Sequence, residues 1–375
     1  MKIGLAIYNF DPKKGGAERY AFDLSQRLSK KGHDVSVVCS NGIALSGIKL
    51  VKVKAIKYPK WLRTLFFAIE HRNIAKRLKF DVILGFGNTI ELDVYQSHGG
   101  VQKVWMKREI ESYDNPVEKS LKAFILKSSI HQRIQEWISE YPLKNKRYRK
   151  IIAISHMVKN HMRDFYNIDE DEIEVVYNGV DTERFKPEEG IKDTSRLRIL
   201  FSAGNFRLKG LSPLLSAMER VSKMRKDFLL IVMGRGKKER FTKFIEEKKL
   251  KEYVVFTGET ANPEIAYRKS HFLVHPTFYD ACSLTTMEAM ASGIPVVTTR
   301  WNGASSLVTE DEGLVIDEPR DIEALSSAIM ALMDKIKLEI MGRNARLKIQ
   351  SYTMEKNARE IERILLEAKD EKPFH

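Results

Sequence analysis

The chain has 375 residues, 43% hydrophobic and 30% charged, a soluble globular composition long enough for two domains. No apolar run reaches the ~18 residues that a membrane-spanning helix needs. Two isolated cysteines, Cys39 and Cys282, exclude a disulfide framework and a cysteine metal site, and fit a reducing cytoplasm. The net charge of +14 is unevenly spread: residues 1–168 hold 31 Lys and Arg against 15 Asp and Glu, and residues 169–375 hold 33 against 35. The excess in the first part implies an anionic partner there, whether nucleic acid, an anionic membrane or a phosphorylated acceptor.

In chain order, MKIGLAIYNF reads as a buried first strand over Lys2 to Phe10 with no export signal. Gly15-Gly16 opens a helix from Ala17 to Lys31, Gly32 closes it, and Asp34 to Cys39 is the next strand, completing one βαβ unit. Asp81 to Gly85, Leu92 to Gln96 and Ile151 to Ile154 are further strands. A polar stretch from Lys186 to Arg196, with Pro187 and Gly190, precedes a restart of the pattern. Leu197 to Ala203 is a strand, Leu211 to Lys223 a helix, and Phe228 to Met233 a strand ending at Gly234-Arg235-Gly236. Tyr253 to Phe256, Phe272 to His275, Pro295 to Thr298 and Leu314 to Ile316 follow as strands with helices between. The final helix, Met354 to Lys369, has no strand of its own and an apolar stripe at Ile361, Ile364 and Leu365, so it must dock elsewhere. The pattern is α/β with two parallel sheets in sequence.

Ligands of open parallel sheets bind beyond the carboxyl ends of the strands, so the residues there carry the functional reading. In HPTFYDACSLTTMEAMASGIPVVTT, Asp280 lies on a loop just ahead of a helix N-terminus, capped by Ser283 and followed by Leu284, with the helix ending near Gly293. Glu288 lies beyond the first turn among Met287, Ala289, Met290 and Ala291. A carboxylate there has two acceptor oxygens for a sugar diol. AGNFRLKG, Ala203 to Gly210, puts Arg207 and Lys209 at another strand end, where by themselves they read either as a surface loop pair or as cations able to stabilise developing negative charge without a metal. KKGGAERY brings Gly15 and Gly16 to a helix N-terminus, open to phosphate. This is not the G-x-G-x-x-G fingerprint, and the strand ending at Cys39-Ser40-Asn41 carries no acid for an NAD ribose, which disfavours a nicotinamide dehydrogenase. Asp169-Glu170-Asp171 has the look of a D-x-D metal motif but precedes a strand, the wrong end, and reads as a solvated charge run.

Acid, seven residues, acid, then Gly-Ile-Pro-Val-Val into a strand resembles the E-x7-E signature of glycosyltransferase family 4, retaining enzymes of the GT-B fold. The resemblance covers nearly the whole chain. It implies two Rossmann-like domains facing across a cleft, with the C-terminal helix crossing back: residues 1–168 plus 355–375 binding the acceptor, and 169–354 binding the nucleotide sugar. It further implies Glu288 on the ribose, Asp280 on donor-sugar hydroxyls, and Lys209 with Arg207 on the diphosphate. Gly15 and Gly16 would face the donor phosphates, with Gly234, Arg235, Ser283 and Leu284 also on the donor. His98, in LDVYQSHGG, would hydrogen-bond the donor hexose or orient the acceptor. VYNGVDTERF, Val175 to Phe185, matches a family segment near the domain junction and reads as structural support. Three departures stand out: Asp280 replaces the first glutamate, Leu208 occupies the place of the family arginine, and the family acid near Ser306 is absent.

No metal and no cofactor is expected, since the donor is itself the nucleotide sugar, taken as UDP-linked although no motif names the base. Within the family the resemblance is to lipopolysaccharide core glucosyltransferases, which implies a glycan or glycolipid acceptor and no nucleic-acid partner. Residues 61–79 and 119–138 mix apolar and basic residues, and KNKRYRK at 144–150 adds five more basic residues. Most of the apolar positions, among them Leu121, Phe124, Ile125, Ile134, Trp137 and Ile138, are expected in the core. The remainder suits a cytoplasmic protein peripheral to an anionic membrane face. A sugar-nucleotide 2-epimerase on the same fold is the alternative, lacking an identifiable acid/base pair at the sugar. A basic nucleic-acid-binding module is a distant third, without an RNA or helix-turn-helix motif.

Overall fold

Short runs of Val, Ile and Leu bounded by glycine or polar residues form strands buried on both faces, and amphipathic segments between them cover those faces. The computed structural model describes all residues except 55, 57, 58, 189–194 and 372–375, so Gly190 of the expected linker lies outside the described residues. The chain divides into two compact units, one of residues 1–107, 120–179 and 354–375, the other of residues 108–119 and 180–353.

The first unit is built on a parallel sheet in the order Ile48–Lys52, Asp34–Cys39, Lys2–Ala6, Val82–Gly85, Val94–Ser97, Lys150–Ala153, Ile173–Val175. The chain starts in Lys2–Ala6, moves outward to one edge, then returns to Val82–Gly85 on the other side. Ile173–Val175 hydrogen-bonds Lys150–Ala153, so residues 169–179, expected in the second unit, belong to the first. Residues 108–119, expected in the first, belong to the second. Asp169, Glu170 and Asp171 are exposed ahead of Ile173–Val175, as a solvated charge run should be.

The C-terminal helix Met354–Asp370 packs into this first core through Ala358, Ile361, Ile364, Leu365 and Ala368. Spacings of three and four place all five on one face, and each buried Ile or Leu contributes about 1.5–3 kcal/mol. Asn357 Nδ2 donates to Tyr177 O at 2.7 Å, its Oδ1 accepts from the Tyr20 hydroxyl at 3.0 Å, and Gln96 Nε2 donates to that hydroxyl at 3.1 Å.

The apolar positions of 119–138 depart from expectation. The period is broken at Ser129, whose side chain accepts from Gln132 N and caps a new helix, Ile130–Lys144. In the preceding helix, Pro116–Ser128, only Leu126 is buried, while Leu121, Phe124 and Ile125 face solvent, as does Trp137 further on. Ile138 is in the core and Ile134 packs against it.

Among the described residues the second unit has six parallel strands, in the order Val254–Gly258, Phe228–Met233, Leu197–Ser202, Phe272–His275, Val296–Thr299, Gly313–Ile316. Again the first strand is central. The sheet grows to one side and then to the other, so the carboxyl ends of Leu197–Ser202 and Phe272–His275 are adjacent at the switch point.

His71, on helix Lys60–Leu78, is fully buried against Phe67, and neither ring nitrogen has a hydrogen-bond partner among the described residues. Burial pushes its pKa down to about 4. The unfolded chain therefore takes up a proton that the folded chain refuses, between the ordinary histidine value and about 4. Stability is fully present above that window and falls with pH through it, by up to about 3 kcal/mol. Denaturant titrations of the wild type and His71→Leu across these pH values should show a shallower acid loss in the variant.

Candidate active site

Two loops leave the switch point of the second unit, residues 203–210 and 276–283, and their backbones interlock. Gly210 has φ +85°, and a Cβ there would lie 2.0 Å from Pro276 O. Phe278 N donates to Leu208 O at 2.9 Å. Only glycine permits this approach, which brings the side chains on either side together. Lys209 Nζ donates to Asp280 Oδ2 at 2.6 Å and to Tyr279 O at 3.0 Å. The Asp280 backbone is tied at both ends, its N–H donating to Trp301 O at 2.9 Å and its carbonyl accepting from Gly303 N at 2.7 Å.

Burial alone would raise the Asp280 carboxyl, but the Lys209 ammonium, helped by a bond to His275, outweighs it and holds the group well below the usual carboxylate range. His275 Nε2 lies 3.4 Å from Asp280 Oδ2. Burial also pushes His275 down against the opposing pull of Asp280, so the ring is neutral and lends a hydrogen bond, and the charge pairing comes from Lys209.

Ser283 caps the helix Leu284–Ala291 as expected, its side chain accepting from Thr286 N at 3.2 Å. Ser283 is buried. Gly293, at φ +68°, follows the helix. Asn302, fully buried, accepts from Ser283 N and Ala304 N and donates to Thr286 Oγ1 and Thr298 Oγ1, both at about 3 Å. It welds the helix start to the neighbouring strand. Glu288 is half-buried on this helix and accepts from the Tyr267 hydroxyl at 2.8 Å. Burial first, then the Glu288 carboxylate, holds the phenol pKa well above its usual value, so Tyr267 stays a donor.

Arg207 lies on the same loop as Lys209, but its guanidinium pairs with Glu109 at 2.6 Å, bonds Ser112, and lies 3.6 Å from the Tyr113 ring centroid. It fastens residues 109–113 to the loop. Gly234, at φ +127°, abuts Ala203, whose carbonyl would be 1.9 Å from a Cβ at 234. Arg235 is exposed, its Nε 3.6 Å from where a side chain at Gly204 would begin. Leu284 is half-buried at the first helical position.

In the first unit, Gly15 is the cap residue of helix Gly16–Lys30 in extended conformation, with the Glu18 carboxylate folded back beside it. His98 follows Val94–Ser97 and packs against Tyr20 with the rings tilted and their centroids 4.7 Å apart, with Phe86 edge-on at 6.0 Å.

Sequence reasoning passed over His275, Tyr267 and Asn302. His275 ends a strand directly before the proline turn, a place where a polar residue in an apolar run signals a site. Asn302 and Tyr267 carry no comparable local mark.

The family model for group 1 glycosyl transferases matches residues 181–348, and the model for Glycosyltransferase Family 4 matches residues 14–184. Their two domains lie in succession along nearly all of the chain. It is a glycosyltransferase of the GT-B fold. The lipopolysaccharide glucosyltransferase WaaG of Escherichia coli is 21% identical over 92% of this chain and 93% of its own. A crystal structure of WaaG, a glycosyltransferase involved in lipopolysaccharide biosynthesis, superposes with a TM-score of 0.78 at 19% identity, covering 97% of this chain and 99% of that one. Anabaena HepE, solved in complex with UDP and glucose, gives a TM-score of 0.69 at 16% identity over 98% and 99% of the two chains.

A methyl group at Gly210 would meet both the Pro276 carbonyl and a left-handed backbone. Gly210→Ala should therefore cost at least about 2 kcal/mol in urea denaturation and separate Lys209 from Asp280.

Proposed function

We propose that this glycosyltransferase moves a hexose from a UDP-linked sugar to a glycan or glycolipid acceptor of the lipopolysaccharide-core kind, with retention at the anomeric carbon and without a metal. The observation that carries this is the Lys209–Asp280 pair at the switch point of the second sheet, with Glu288 on the helix that follows. Lys209 has three N–H donors, of which Asp280 and Tyr279 take two, leaving one for a phosphate oxygen. Asp280 accepts on Oδ2 and presents Oδ1 to hydroxyls of the donor sugar. Glu288 takes the ribose diol.

As the bond from the anomeric carbon to the diphosphate breaks, negative charge gathers on the leaving oxygens, and the Lys209 ammonium stabilises it. The new bond to the acceptor oxygen forms on the same face, and the acceptor proton passes to the departing phosphate. Arg235, exposed beside Gly204 of the same loop, is the second cation assigned to the diphosphate. Arg207 is assigned to holding the loop, because its guanidinium is committed to Glu109. UDP is supported by HepE, crystallised with UDP and glucose, and the acceptor class by WaaG.

The lipid-linked acceptor is supported by the surface of helix Pro116–Ser128. Leu121, Phe124 and Ile125 are 57%, 68% and 51% exposed, with Lys119 and Lys127 beside them. Among the described residues no helix is long and apolar enough to cross a membrane. An apolar stripe edged by lysines suits the headgroup region of an anionic leaflet.

Incubation with UDP-glucose, a truncated lipopolysaccharide core and a chelator should yield an α-linked product. In that assay Lys209→Ala should lose about 2–4 kcal/mol of transition-state stabilisation, and its acid limb should move upward, because burial then acts on Asp280 against the bond to His275 alone. Near-normal turnover would remove Lys209 from the mechanism. Phe124→Glu should weaken co-sedimentation with anionic vesicles about tenfold or more, the scale of one buried aromatic side chain. Wild-type binding should itself fall with added salt.

A further inference from the structure

A wholly buried phenol lies beneath the candidate site, bonded to the helix that carries Glu288. Tyr267, on helix Pro263–Lys269, donates to Glu288 Oε2 at 2.8 Å. The hydroxyls of Ser202 and Thr285 neighbour its oxygen. Ser202 ends the central strand whose exit loop carries Lys209, and Thr285 lies in the first turn of the helix that carries Glu288, three residues away on the same face. The ring is held edge-on by Phe185 at 5.5 Å, itself buried.

Nothing in this packing needs the hydroxyl for its shape, since a phenylalanine ring would fill the same volume. The hydroxyl instead constrains Glu288. A glutamate on a helix has three side-chain torsions, and a bond from a fixed donor selects among their rotamers before any ligand arrives.

We propose that Tyr267 is a positioning residue for nucleotide recognition, its hydroxyl fixing the Glu288 carboxylate in the orientation that accepts a ribose diol and thereby setting the preference for ribonucleotide over deoxyribonucleotide donors. The inference rests on the reading of Glu288 as the ribose ligand. Tyr267 acts through Glu288 and touches no substrate. A carboxylate can only accept, so the bond runs one way, from the phenol hydroxyl to Glu288.

The test is calorimetric binding of UDP and 2′-deoxy-UDP to the wild type, Tyr267→Phe, Glu288→Ala and the double variant, with donor KM and kcat measured alongside. The wild type should prefer UDP. Tyr267→Phe should weaken UDP about five- to tenfold while leaving 2′-deoxy-UDP nearly unchanged, the scale expected from releasing an ordered side chain. Donor KM should rise with kcat held within about twofold, the pattern of lost binding rather than lost chemistry. In the Glu288→Ala background Tyr267→Phe should have no further effect. Equal weakening of both nucleotides by Tyr267→Phe, with a lower melting temperature, would reduce Tyr267 to a packing residue and overturn the proposal. A Glu288→Ala variant that loses the UDP preference while Tyr267→Phe keeps it would overturn the role of Tyr267 alone. A preference intact in Glu288→Ala would overturn the ribose assignment itself.

Discussion

The close approach of two backbones at Gly210 and Pro276 is the constraint on which the site depends. Adjacent parallel strands leave their exit loops side by side, but side chains normally keep such loops apart. Here a left-handed glycine lets one loop lie against the carbonyl of the other, and the residues flanking the contact, Lys209 and Asp280, form a 2.6 Å ion pair. Trp301 and Gly303 then fix Asp280 from its other side through the backbone, so the pair is held by main chain at each end.

This arrangement settles the charge state of the site. An aspartate in so enclosed a place would favour the neutral form, and the lysine reverses that preference. The carboxylate is thus present as an acceptor near neutrality, while the ammonium keeps a donor in reserve. The neighbouring histidine stays neutral, adding direction without adding charge. A few residues on, Asn302 satisfies donors and acceptors from three segments at once, which makes the start of the Glu288 helix rigid.

The two cations of the 203–210 loop have separate partners. Lys209 reaches the acid at the switch point, whereas Arg207 turns to Glu109 and stacks on Tyr113, fastening a segment from the first half of the chain into the second unit. Two residues apart on one loop, the pair divides because the side chains meet different neighbours.

Much of the architecture was legible in the sequence, because strand and helix periods, capping residues and glycine breaks act over a few residues. Most strands of both sheets were found within a residue or two of their ends, and Ser283, Gly210, Gly293 and the inward stripe of the last helix lie where local chemistry puts them. The edge strand Ile48–Lys52, half-exposed and without a continuous apolar run, escaped notice. So did Ile173–Val175 as a member of the first sheet, since pairing across the chain carries no local mark. Only the tertiary structure decided which partners the side chains take. It gave Arg207 to Glu109, placed Tyr267 under Glu288, and turned Leu121, Phe124 and Ile125 outward. Each outcome depends on which strands and helices become neighbours, a property of the whole chain's packing that spacing along it does not encode.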